Sequence, residues 1–302
     1  MQAVNLLIDS QIAEPGLLPT SPAYGPDSVA VPQPMPLRKH QTFAIILAMQ
    51  RSGTSLLTVE LSRHPCISMQ SELFVQGSWN PKLQKQVVEV FFGTRVSDVQ
   101  MLVLPNITQD ILKKSRQAVE EGAAVQGFNW KLNQDFIPCW HTWLGDWAAH
   151  HGVRLIWVQR INLLRRIFSN HANKQTGVAV TTNKSQAKTV GSVQISMNTS
   201  NILKELAKDE LNIKAVKAIL ADARRKGVQV QTVYYENMTE SLDVVRRFLL
   251  QNSSCTSRGR AALKQRSGYS KIHAAKLKYL VRNWEQLRKT LRHTSWEWML
   301  ST

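Results

Sequence analysis

The chain has 302 residues, with 38 lysines and arginines against 21 acidic residues, a formal net charge of +17. That length supports a substantial core, the even scatter of apolar segments argues for one α/β domain, and so strong a positive field favours anionic ligands. Three cysteines are too few and too scattered for a disulfide framework, no cysteine or histidine pattern has zinc spacing, and no apolar run is long enough to span a bilayer.

Residues 1–40 carry Pro15, Pro19, Pro22, Pro26, Pro32, Pro34 and Pro36 among glycines and serines, which predicts a disordered lead before a domain over 41–302. This lead lacks the basic start, apolar centre and small-residue cleavage site of a signal peptide, so a soluble chain is expected and its compartment stays open. The run Phe43 to Ala48 is short, apolar and partly β-branched, as in a parallel strand covered on both faces. Behind it come Gln50-Arg51-Ser52-Gly53-Thr54-Ser55, then a helix with Leu56, Leu57, Val59 and Leu61 on one side, ending near Arg63 before Pro65.

A glycine-containing turn from strand to helix aims unpaired backbone N–H groups, and the positive end of the helix dipole, at whatever sits in the turn. Gly53 permits close approach, Ser52, Thr54 and Ser55 offer hydroxyls, and Arg51 offers a planar fork suited to a tetrahedral oxyanion. The nucleoside-triphosphatase version, G-x-x-x-x-G-K-[ST], is absent, since neither its first glycine nor its lysine occurs.

Downstream, Ile67 to Phe74 reads as a short strand carrying Glu72, 109–121 as a helix, and Ala124 to Gln134 as a strand with Asn129 and Lys131 on one face. A helix is expected over 134–150, ending at His150 and His151 ahead of Gly152. Val153 to Gln159 reads as a strand that ends on Arg160 and feeds a helix bearing Arg165, Arg166 and Ser169, the first two on a solvated basic face. The polar stretch 175–201 reads as a lid or disordered loop, 203–226 as a helix broken near Asp209, 228–234 as a strand and 238–250 as a helix. Strands alternating with helices imply parallel pairing and right-handed crossovers. The C-terminal run from Arg258 to Arg292 is rich in cations and faces only Glu285, which suggests a solvated face or a surface for an acidic polysaccharide.

The string Arg51-Ser52-Gly53-Thr54-Ser55-Leu56-Leu57 after a strand resembles the 5′-phosphosulfate loop of sulfotransferases that use 3′-phosphoadenosine 5′-phosphosulfate (PAPS). The likeness is to the carbohydrate and Golgi-type branch, with algal, plant and bacterial relatives, where arginine opens the loop. It implies a three-layer α/β/α fold with a central parallel sheet, of the P-loop NTPase-like kind. It also implies that Arg51, Ser52, Gly53, Thr54 and Ser55 hold the phosphosulfate, that Arg160 and Ser169 grip the 3′-phosphate, and that Arg258 or Lys264 closes over it. Glu72 matches the family's general base, and Arg51 would neutralise charge on the transferring group. Two positions depart from the pattern: Asn129 stands where lysine is usual, and Ile161 stands eight residues before Ser169, where an arginine is usual.

The function so implied is transfer of a sulfuryl group from PAPS to a hydroxyl acceptor, a carbohydrate and an acidic one among the candidates, with no metal and no membrane anchor. A Golgi lumen is compatible by resemblance. The rival is a non-catalytic polyanion- or nucleic-acid-binding protein on the same fold. No helix-turn-helix, zinc-finger or RNA-binding aromatic motif supports specific nucleic-acid recognition.

Overall fold

Every residue of β1 (Thr42–Ala48) is buried, because helices cover both faces of the strand. In the computed structural model the described residues are 41–75, 79–94, 104–177, 193–253, 255 and 276–301; the expected Pro-rich lead, Arg258 and Lys264 lie outside them. β1 is the centre of a five-stranded sheet in the order β2-β3-β1-β4-β5, with β2 (Ile67–Glu72), β3 (Val125–Lys131), β4 (Arg154–Gln159) and β5 (Val230–Tyr234), all parallel. The predicted α/β class and parallel pairing are therefore observed.

Side-chain alternation divides β1 between two cores. Phe43, Ile45 and Leu47 join a large aromatic-rich cluster with Phe128, Trp130 and Trp157. This cluster packs under α2 (Pro81–Phe91), α3 (Asn106–Glu120), α6 (Leu163–Thr176), α7 (Ile202–Arg225), the short α9 (Leu277–Leu280) and α10 (Trp284–Leu291). Ala44, Ile46 and Ala48 face the smaller core beneath α1 (Thr54–Ser62) and α8 (Met238–Leu250). The buried stripe of α1 is Thr54, Leu57, Thr58 and Leu61; Leu56 and Val59, expected on that face, are only half-buried.

Several expectations are corrected. The helix expected over 134–150 is composite: α4 (Phe136–Cys139), a π turn over Trp140–Leu144 and α5 (Gly145–His150). α7 runs unbroken past Asp209, which is buried and paired with Arg166 rather than exposed at a break. Arg166 is thus no solvated cation; it also donates to the Gln50 carbonyl at 3.3 Å. Cys66 and Cys255, 189 positions apart, are joined in a disulfide, so scattered cysteines do form one cross-link, while Cys139 is free and buried. Most of the polar stretch 175–201 lies outside the described residues; Ile195 at its end is buried and bridges Val281. Among the described residues no helix is long and apolar enough to cross a membrane.

Register sets the site. Ala48 ends β1 level with Lys131 of β3 and Val158 of β4, so the carboxyl ends of three strands open on one edge, beside the turn between β1 and α1. Open parallel sheets bind ligands at such an edge, where strand order reverses.

Candidate functional site

The turn from β1 into α1 places Arg51 at φ 65° and Gly53 at φ 80°, two left-handed residues separated by Ser52. The first is unusual for a side chain other than glycine, asparagine or aspartate. At Gly53 a Cβ would strike the Tyr235 ring, so packing as well as the left-handed backbone requires glycine there. Ser52 is fully buried, and its hydroxyl makes no hydrogen bond among the described residues. Thr54 is buried in the first turn of α1, where Ser55 is half-exposed.

Asn129 and Lys131 stand on the loop side of β3. The two share a face of β3, and both look toward α1: Asn129 donates to Thr58 at 2.8 Å, and Lys131 donates to Thr54, one helical turn nearer the loop. Lys131 thus brings a cation to the face of the sheet on which Asn129 lies. Lys131 is almost wholly buried, and that burial pushes its pKa down to about 8, against the pull of the Glu72 carboxylate.

Glu72 reaches this face through a bulge. Gln70 pairs with Phe128, but Glu72 pairs with Asn129, so one extra residue of β2 is absorbed and Glu72 shares the Asn129 side of the sheet instead of the Trp130 side. Its carboxylate lies 3.7 Å from the Lys131 Nζ and accepts from the Gln134 side-chain amide at 2.9 Å. Gln134 is itself held, since its side-chain oxygen accepts from the Lys131 backbone N–H at 2.9 Å. Gln134 belongs to no motif in the sequence; its place one turn beyond the end of β3 is the signal that marks it.

Arg51, Arg160 and Ser169 meet on the other side of the loop. Arg51 Nε donates to Ser169 Oγ at 3.1 Å, and Arg160 donates to the Arg51 carbonyl at 3.3 Å while lying over the Tyr235 ring at 4.5 Å. Arg160 is buried, its Nε has no hydrogen-bond partner among the described residues, and desolvation lowers its pKa. Desolvation also lowers that of Arg51, opposed by the Tyr235 and Glu72 fields. Arg160 and Ser169 are therefore joined through Arg51 and not directly. Ile161 is exposed, and the Ile161 and Asn162 amides donate to Glu236, whose carboxylate holds the entry to α6.

Beyond Glu72, a cleft of about 300 Å³ is lined by Phe74, Trp79, Gln50, Asn133, Gln134 and Asp135 among others. His64 lies beside the Cys66–Cys255 pair, but the two sulfurs are bonded to each other and are not available as thiolate ligands. No protein-family model matches the chain, and no curated protein matches it significantly.

Proposed function

We propose that this protein is a sulfotransferase of the P-loop-like α/β/α type that moves a sulfuryl group from PAPS to a hydroxyl, on a carbohydrate. The observation that carries the reading is a pair of buried donors with no partner among the described residues beside one helix-opening turn, Ser52 Oγ and Arg160 Nε, with the cations of Arg51 and Lys131 adjoining them. Buried polar atoms are ordinarily satisfied, and donors gathered this way call for an oxyanion. These residues fit the donor: Arg51, Ser52, Thr54, Ser55 and Lys131 would hold its phosphosulfate, and Arg160 with Ser169 its 3′-phosphate.

The donor would supply the sulfuryl group and leave as adenosine 3′,5′-bisphosphate. Glu72, between Lys131 and the cleft, accepts the acceptor's hydroxyl proton while Gln134 fixes the carboxylate's orientation. Lys131 and Arg51 hold positive charge where negative charge builds on the bridging oxygen. The Cys66–Cys255 bridge suits an oxidising compartment such as a Golgi-type lumen.

Calorimetric titration with adenosine 3′,5′-bisphosphate tests this reading: affinity in about the micromolar range, tenfold or more above that for ADP by roughly 1.4 kcal/mol, and abolished by Arg51→Ala, is expected. Equal weak binding of both nucleotides, only at low salt, would instead favour the polyanion-binding reading. One observation favours that second reading: Lys276, Lys278, Arg282, Arg288, Lys289 and Arg292 are all exposed. Binding through them would fall steeply with salt and ignore Arg51→Ala.

A further inference from the structure

The cleft beside Glu72 differs in charge from the rest of the chain. The protein carries a net +17, yet no lysine, arginine or histidine is among the described residues lining this cleft, whereas Glu72 and Asp135 both are. Lys131 lies on the loop side of Glu72 and offsets that one carboxylate. Asp135 is exposed at the rim, makes no capping bond to α4, and has no ion pair among the described residues. Its backbone sits at φ 59°, a conformation that aspartate and asparagine tolerate better than most residues.

The remaining lining suits a sugar. Trp79 is half-buried and meets Phe74 edge-on at 5.0 Å, leaving an aromatic wall that can cover the C–H face of a pyranose ring. Exposed Gln50 and Asn133 carry amides that both donate and accept, as hydroxyl groups do. An anionic saccharide entering here would meet the Asp135 carboxylate with no cation in the described lining to offset it, Lys131 being taken up by Glu72, and like charges brought together in an interface disfavour a partner.

We propose that this cleft takes an uncharged saccharide as acceptor and excludes uronate-bearing or sulfated chains, with Asp135 as the residue that enforces the exclusion. The proposal rests on the sulfotransferase reading, and it assigns the exposed basic face at the C-terminal end no part in acceptor choice.

The test measures sulfate transfer from labelled PAPS to chitohexaose and to hexagalacturonate, for the parent chain and Asp135→Asn, with adenosine 3′,5′-bisphosphate affinity recorded on each. Asparagine keeps the left-handed backbone and removes the charge. The expected result is preferential transfer to chitohexaose by at least about tenfold, and a fall of roughly fivefold in that preference in Asp135→Asn, with nucleotide affinity unchanged. Equal or better use of hexagalacturonate by the parent overturns the proposal, as does a preference that Asp135→Asn leaves intact. Failure of both glycans to accept sulfate, with the nucleotide still binding, overturns the saccharide assignment while the donor site stands. Absence of nucleotide binding overturns the sulfotransferase reading itself.

Discussion

Arg154 and Arg160 bracket the same strand and are treated in opposite ways. Arg154, at the amino end of β4, is buried with its guanidinium bonded to the carbonyls of Phe248, Leu249 and Gln251, so it closes the carboxyl end of α8. Arg160, just past the carboxyl end, is equally buried, but among the described residues it holds one long bond to the Arg51 carbonyl and leaves Nε unpaired. The amino edge of the sheet spends its buried charge on stability. At the carboxyl edge Arg160 stays incompletely satisfied among the described residues, as the proposed anion site requires.

The largest effect expected is at the Arg166–Asp209 pair, which joins α6 to α7 behind the loop. Asp209→Asn leaves a buried guanidinium without its counter-charge and should lower unfolding free energy by about 3–5 kcal/mol in urea titration. The double variant Arg166→Met with Asp209→Leu should recover most of that stability, yet bind adenosine 3′,5′-bisphosphate less well, because the bond to the Gln50 carbonyl is lost. A double variant as unstable as Asp209→Asn would show that the pair is required for folding.

The Arg154 and Arg160 comparison can be broken directly. Arg154→Ala should lose about 3 kcal/mol of stability with nucleotide binding intact once folded. Arg160→Ala should lose roughly 1 kcal/mol or less and weaken nucleotide binding about 100-fold. Similar stability losses in both would erase the distinction drawn between the two edges.

Lys131 sharpens it through pH. Its pKa is about 8 in the fold against 10.5 ordinarily, so between those values the unfolded chain binds more protons and Lys131 makes stability rise with pH. An anion beside Lys131 favours its protonated form, so nucleotide binding should take up a proton and weaken as pH climbs above about 8. Titrations in buffers of different ionisation enthalpy measure that uptake, and Lys131→Met should abolish it.

The smallest effect is the most diagnostic in sign. Ser52→Ala removes a buried hydroxyl that has no partner among the described residues, so stability should stay within about 0.5 kcal/mol of the parent or rise, while nucleotide affinity falls roughly fivefold. A clear loss of stability would mean that the hydroxyl has a structural partner after all.

The sequence by itself determined the β1–loop–α1 unit, since a continuous apolar strand, a left-handed glycine and the helix behind it follow from local sterics and burial period. It determined parallel pairing, because strands alternating with helices admit little else. The extents of α7 and α8 were likewise legible from their apolar periodicity. Long-range partners decided the rest. A basic pair at 165–166 reads alike whether solvated or buried, and only the position of Asp209 on α7 made Arg166 an internal ion pair. The bulge in β2 turned Glu72 to the loop face, a one-residue slip that no periodicity announces. The π turn inside the helix of 136–150 was equally silent in the apolar pattern, and Cys66 found Cys255 across 189 residues of chain. Local sequence fixes backbone preference and burial period; which side chains meet at the edge of a sheet depends on register and packing between segments distant in sequence.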